Sequence, residues 1–295
     1  VPELPDVVVY CERLAALAVG EPLDRLRVAK PWVLRSVDPP VSALSNRTLT
    51  GVSRLGKRIV LGFTDDIFAV VHLMVSGRLR RRPQGAAIPS RRGLAAFDFP
   101  GQTFLLTEES TKKRASIHLA TGRDALADFD RGGIEPLEAS LDTFSEAITS
   151  EAHTLKRALT DPRLISGIGG AYADEILHQA GLSPLARTNS LGKADLRRLH
   201  SATCRVLTEW IDRLRTEAGD GFPEKVTSFR PEMSVHGKAG EPCPVCSAPV
   251  QQIRYADTET DYCAACQTGG RIFADRSLSR LLKDDWPRSL EDLER

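Results

Sequence analysis

No stretch of this chain approaches the roughly eighteen consecutive apolar residues that a membrane-spanning helix needs, so such a span is excluded. There is almost no excess of charge: 40 Lys plus Arg stand against 39 Asp plus Glu, a formal +1. No overall basic field is therefore available to hold nucleic acid, and any such partner has to be argued from particular residues. The N-terminus lacks the positive charge of a signal peptide and carries Glu3 and Asp6 instead, which points to a cytoplasmic protein. Internal repeats and low-complexity tracts are absent. Cysteine is scarce and unevenly placed: Cys11 and Cys204 stand alone and read as small buried hydrophobes, while the other four fall between Cys243 and Cys266. The chain as a whole, 295 residues at 41% hydrophobic and 27% charged, has the composition of an ordinary globular protein. At about 150 residues per domain, that length suggests two domains.

The patterning divides the chain. Val7, Cys11, Leu14, Ala15 and Ala18 recur at helical spacing before Gly20. From about residue 25 to 120, short apolar runs (Arg58–Phe63, Ile67–Val71, Leu94–Phe99, Thr103–Leu106, Ser116–Leu119) alternate with Gly, Pro and Asp, as in a β-sandwich or barrel. From about 140 to 218 the spacing is helical. Leu196, Leu199, Thr203, Val206, Trp210 and Leu214 mark one long amphipathic helix, and two shorter helices flank Gly167–Gly170. A short helix is expected over Ser277–Leu282. The spacing Cys243-x2-Cys246-x16-Cys263-x2-Cys266 specifies a tetrahedral metal site on a hairpin, with Val250–Tyr255 as one strand. Four thiolates leave no position open to water, so one structural Zn2+ per chain is expected ahead of iron–sulfur or redox chemistry.

The opening Val1-Pro2-Glu3-Leu4-Pro5-Asp6 reads either as a stiffened lead into the first helix or as a nucleophile. If Val1 is an initiator that is removed, Pro2 presents a secondary amine. A terminal amine, with a reference pKa of about 8, is neutral near pH 7.5 far more often than lysine. It could attack a sugar C1′ while Glu3 moves protons. Together with Lys57 in its Leu-Gly-Lys-Arg turn, the His72–Gly77 segment, Gly167-Ile-Gly-x-x-Tyr172-Ala-x-Glu175 and the cysteine ribbon, the opening resembles the formamidopyrimidine-DNA glycosylase/endonuclease VIII family over nearly the whole chain.

The resemblance implies an α+β multidomain fold. A β-sandwich with an N-terminal helix would span 1–135 and a helix–two-turn–helix domain 136–232; a zinc-ribbon hairpin would span 233–270 and a tail 271–295. It implies a monomeric, nucleoid-associated base-excision repair enzyme on damaged duplex DNA, with glycosylase and abasic-site lyase activities. Pro2 would be the nucleophile, Glu3 the proton donor to the sugar and Lys57 a phosphate contact. Met74 would be the wedge that fills the vacated stack, although a core methionine is an alternative. Lys156 would contact phosphate, or be a surface lysine, and the turn at Gly170 would offer its N–H groups to DNA. The acid-free run from Arg78 to Arg92 reads as a solvated loop that could also face DNA.

This chain departs from the family pattern at several positions. Gly170 stands where asparagine is usual, and Asp257-Thr258 where the hairpin arginine is usual. Thr111-Lys-Lys-Arg-Ala115 replaces an Arg-Arg-Phe-Gly segment, so that Lys113 and Arg114 keep the charge without the aromatic. These losses favour a second possibility, a DNA-binding or damage-sensing protein of the same fold with little catalysis. A zinc-ribbon RNA-associated protein would explain only the cysteines.

Overall fold

The computed structural model describes residues 2–255, 258–273 and 286–293. Its contacts divide the chain into two compact units, Val1–Arg131 with Trp210–Thr227, and Gly132–Glu209 with Ser228–Arg295.

In the first unit, α1 (Leu4–Ala18) precedes nine strands. Strands β1 (Pro22–Leu23), β3 (Arg47–Leu55), β4 (Arg58–Phe63), β5 (Ile67–His72) and β9 (Ser116–Thr121) form one sheet in the order β1-β3-β4-β5-β9. Strands β2 (Arg25–Val28), β7 (Gly93–Phe99), β8 (Gln102–Glu108) and β6 (Gly77–Arg82) form the second in the order β2-β7-β8-β6. Neighbouring strands are antiparallel throughout. The core between the sheets joins Leu49, Ile59, Leu61 and Val71 of one to Leu79, Phe97, Phe104 and Leu106 of the other, with Tyr10, Cys11 and Leu14 of α1. This is the sandwich with an early helix that the alternating runs imply.

Two findings depart from the sequence pattern. The arginine run from 78 to 82 is the edge strand β6, and its charges are taken up within the unit. Arg78 donates to the Val226 carbonyl at 2.6 Å, Arg81 to Gln102 at 2.7 Å, and Arg82 pairs with Glu224 at 3.0 Å. The segment Trp210–Thr227, continuous in sequence with the helical region, packs with the β unit because Phe222 inserts between Tyr10 and Phe104, at ring distances of 5.4 and 5.2 Å.

The second unit contains α2 (Leu141–Thr149), α3 (Leu155–Thr160), α4 (Gly170–Ala180) and the long α5 (Lys193–Ala218), whose last turns from Trp210 belong to the first unit. The hairpin β10 (Val250–Tyr255) and β11 (Thr258–Cys263) is followed by α6 (Ala264–Thr268) and, near the C-terminus, α7 (Leu290–Leu293). Trp286 and Leu290 pack against Tyr262 and Ile272, so this part of the tail covers one face of the hairpin. The helix expected over Ser277–Leu282 lies outside the described residues. Among the described residues, no helix is long and apolar enough to cross a membrane.

Candidate active site and metal centre

The start of α1 is fixed by local chemistry. Glu3 is its N-cap and Asp6 its third helical residue; the two form a reciprocal capping box in which the Glu3 N–H donates to the Asp6 carboxylate at 3.0 Å. Pro5 occupies the first turn, where a missing N–H costs nothing. Pro2 and Glu3 are both buried, and Glu3 is only 2% exposed. Lys57 sits in the two-residue turn between β3 and β4, which Gly56 closes with a left-handed φ of +59°. The Glu3 carboxylate is close enough to act electrostatically on the Lys57 ammonium. Burial pushes the Lys57 pKa down, and Glu3 opposes that shift. The fold thus brings together the two side chains that the sequence separates by more than fifty positions.

The same end of the sheet holds His72, the first residue of the His72–Gly77 segment, to which no role of its own was assigned. Strand register places His72 opposite Arg58, next to Lys57. Burial, with Arg58, Lys57 and His118 adding to it, lowers the His72 pKa to about 4, so this imidazole is neutral at pH 7. Its place follows from the next connection: the short turn at Thr64–Asp66 pairs Phe63 with Ile67, and counting away from it along β4 and β5 then sets His72 opposite Arg58.

Met74 and Lys113 lie on adjacent segments. The turn from β5 to β6 places Met74 at φ +53°, half-buried, with Val75 beside it 54% exposed. The Ser110 N–H donates to Ser76 Oγ at 3.1 Å, which ties the loop after β8 to this turn. That loop is ordered by Glu108, whose buried carboxylate accepts the N–H groups of Arg114 and Ala115 at 2.9 and 3.2 Å. Lys113 Nζ donates to the Glu108 carbonyl, while the Arg114 side chain is exposed.

In the second unit, Gly167 (φ +79°) turns the chain, and Gly169 caps α4, so Gly170 is its first residue. Lys156 on α3 is mostly buried. Its Nζ pairs with Asp174 at 2.6 Å and donates to the Glu259 carbonyl of the hairpin. Asp174 also accepts from His236 Nδ1 at 2.9 Å, and Asp261 lies 3.5 Å from that nitrogen. Burial drives the Asp174 pKa up, against the pull of His236 and Lys156. Burial also disfavours the His236 imidazolium, but Asp174 and Asp261 outweigh it and raise the His236 pKa. The oxygen and nitrogen atoms of Asp174, His236 and Asp261 are close enough to suggest a metal, yet Lys156 already supplies the cation there. On the hairpin, Thr258 is exposed, and Arg254 pairs across the strands with Glu259 at 3.3 Å.

The four cysteines do fit a metal. Their sulfurs all lie within 4.8 Å of one another, with Cys243–Cys266 at 3.9 Å and Cys246–Cys263 at 3.3 Å. A tetrahedral zinc–thiolate site, with bonds of about 2.3 Å, has sulfurs about 3.8 Å apart. His178 Nε2 lies 3.3 Å from Cys243 Sγ, an outer contact of the kind that orients a metal ligand.

Comparison with known proteins agrees with this architecture. Residues 1–124 match the formamidopyrimidine-DNA glycosylase N-terminal domain, and residues 133–219 match the formamidopyrimidine-DNA glycosylase H2TH domain. A formamidopyrimidine-DNA glycosylase of Acidovorax sp. is 31% identical over 90% of this chain and 99% of its own. An uncharacterized formamidopyrimidine-DNA glycosylase-like protein of Mycobacterium tuberculosis is 40% identical over 51% of this chain and 94% of its own. The Lactococcus lactis enzyme, solved with DNA containing an oxidised pyrimidine, superposes with a TM-score of 0.79 at 25% identity, covering 90% of this chain and all of the other. The chain belongs to the formamidopyrimidine-DNA glycosylase family.

Proposed function

We propose that this protein excises damaged, oxidised bases from duplex DNA and then cleaves the strand at the resulting abasic site, with Pro2 as nucleophile. The observation that carries this reading is the approach of Glu3 to Lys57 at the capped start of α1. The positive end of a helix disfavours a protonated amine, so an amine at Pro2 would keep its lone pair. That pair attacks C1′ as the bond from C1′ to the base breaks, the base leaving with the bonding pair and taking a proton from solvent. Glu3 accepts the Pro2 N–H proton and passes it to the sugar ring oxygen as the C1′–O4′ bond opens to give an iminium. Loss of a C2′ proton expels the 3′ phosphate, and a second elimination expels the 5′ phosphate. Lys57 would hold the phosphate beside the lesion. The role requires Pro2 to be the first residue of the mature chain.

The other candidate residues support the flipped state, whose unstacking costs a few kcal/mol. The turn at Met74 and Val75 would fill the gap, with Val75 as its more exposed apolar group. Arg114 and the backbone at Gly170 would contact the strands. Two of the three Lys156 donors are engaged, which leaves one for a phosphate. A Zn2+ on Cys243, Cys246, Cys263 and Cys266 would hold the hairpin rigid and take no part in the chemistry.

The test is borohydride trapping on duplexes carrying single lesions or an abasic site. The mature protein should form a covalent adduct that the Pro2→Ala and Glu3→Gln forms do not. A mature chain that retains Val1 by intact mass, or an adduct that survives Pro2→Ala, would overturn the assignment. Gly170 and Thr258 favour the second reading, a damage-sensing binder. That protein would bind the same duplexes without ever being trapped.

A further inference from the structure

The second unit carries a cleft that this chemistry does not use. It measures about 310 Å3 and lies where the C-terminal end of α4 meets the first half of α5. Its floor is Ala180 and Ala202, each 5% exposed, and these two small side chains leave an apolar depression. Arg197, Arg198 and Arg205 line its rim. Positions 198, 202 and 205 step by four and three along α5, and 197 and 205 are eight apart, so the guanidinium groups share a face with the floor.

The charge there is poorly compensated. Among the described residues Arg197 makes no ion pair, and Arg205 reaches Glu209 only at 3.9 Å. Arg198 is held by Asp195 at 2.6 Å, an exposed pair that is easily exchanged. The cleft is also distant from the glycine turn. Gly170 begins α4 and Ala180 ends it, which separates them by about 15 Å at 1.5 Å per residue.

We propose that this cleft docks an acidic peptide segment of a partner protein, with carboxylates on the arginine rim and one bulky apolar side chain on the alanine floor. A phosphate backbone would satisfy the guanidinium groups, but it carries no flexible apolar side chain that could reach into the depression over Ala180 and Ala202. An aspartate-rich segment that ends in an apolar residue satisfies both, and arginine pairs with carboxylate in a two-pronged geometry. The inference does not depend on Pro2 or Glu3.

Fluorescence anisotropy with the full-length protein tests it, using three labelled probes. One is a peptide of four aspartates followed by leucine and phenylalanine, one the same peptide with serine at the last two positions, and one an undamaged oligothymidylate. The first peptide should bind, and Arg197→Glu with Arg205→Glu should weaken it by about tenfold or more, equivalent to one lost charge-assisted contact. The serine peptide should bind the unaltered protein several-fold less tightly, and oligothymidylate affinity should not change with the substitutions. Both arginines are exposed, so the doubly substituted protein should keep its circular dichroism and its cleavage of a lesion duplex. No binding of the first peptide, binding indifferent to the charge reversal, or equal binding of the serine peptide would overturn the proposal. Loss of oligothymidylate affinity alongside that of the peptide would assign the cleft to nucleic acid instead.

Discussion

Gly77 has no room for a side chain. A Cβ there would lie 2.2 Å from the Leu73 carbonyl oxygen, and that oxygen accepts the Gly77 N–H at 2.8 Å to close the turn bearing Met74 and Val75. Gly77→Ala should therefore lower stability by at least 1–3 kcal/mol, the usual cost of overpacking, with the loss read as a lower urea midpoint. His72 gives a pH prediction. Its pKa is about 4 in the folded protein and about 6.5 when unfolded, so between those values the unfolded chain binds more protons. Stability is then lost as pH falls from 6.5 towards 4, by up to roughly 3 kcal/mol from this residue. His72→Gln should flatten that part of the stability curve in urea titrations at pH 7 and pH 4.5. An unchanged acid slope would show that the imidazole is not held neutral.

Individual elements owe their placement to contacts of very different reach. The start of α1 is local, and Asp6→Ala should cost about 1 kcal/mol of stability, the usual effect of a lost cap. It should also slow borohydride trapping, because Glu3 would lose its partner. Fixing the hairpin takes longer-range contacts. Lys156, Asp174, His236 and Asp261 join α3, α4 and β11, while Glu175 accepts the N–H groups of Ser234, Val235 and His236 at 2.8, 2.9 and 2.9 Å. Asp174→Asn would remove the buried carboxylate that Lys156 and His236 share and should cost roughly 3–5 kcal/mol, with faster amide exchange across β10 and β11 as the readout. Strands β4, β5, β7, β8 and β9 were legible because Gly, Pro and Asp bracket apolar runs. Strand β6 was not, since an arginine run reads as solvated until Glu224 and the Val226 carbonyl are brought to it from far along the chain.

For the molecule as a whole, the small net charge makes DNA affinity depend on a few groups. If Lys57, Arg114 and Lys156 are the cations that meet phosphate, the slope of log K against log salt should be about −3, at roughly −0.9 per contact. Titrations between 50 and 200 mM salt would measure it. A slope near −8 would point to a much broader basic surface than these residues provide. If Cys243, Cys246, Cys263 and Cys266 hold Zn2+, its removal should release one ion per chain and weaken this binding. The reason is that Cys243 and Cys263 belong to the same small cluster as Val235 and Val250, so the thiolate site is part of what packs this end of the ribbon.

The sequence by itself determined which chemistry is available: the spacing of four thiols, a proline beside a glutamate, a lysine in a glycine turn. These are relations between neighbours, and neighbours are constrained by covalent geometry and hydrophobic period. Only the tertiary structure decided which charges remain available. The arginines of β6 are taken up by Glu224 and backbone carbonyls, Lys156 is largely taken up by Asp174 and the hairpin, and His72 is kept neutral by its surroundings. The state of a charged group depends on burial and on partners distant in the chain, and folding alone brings those together.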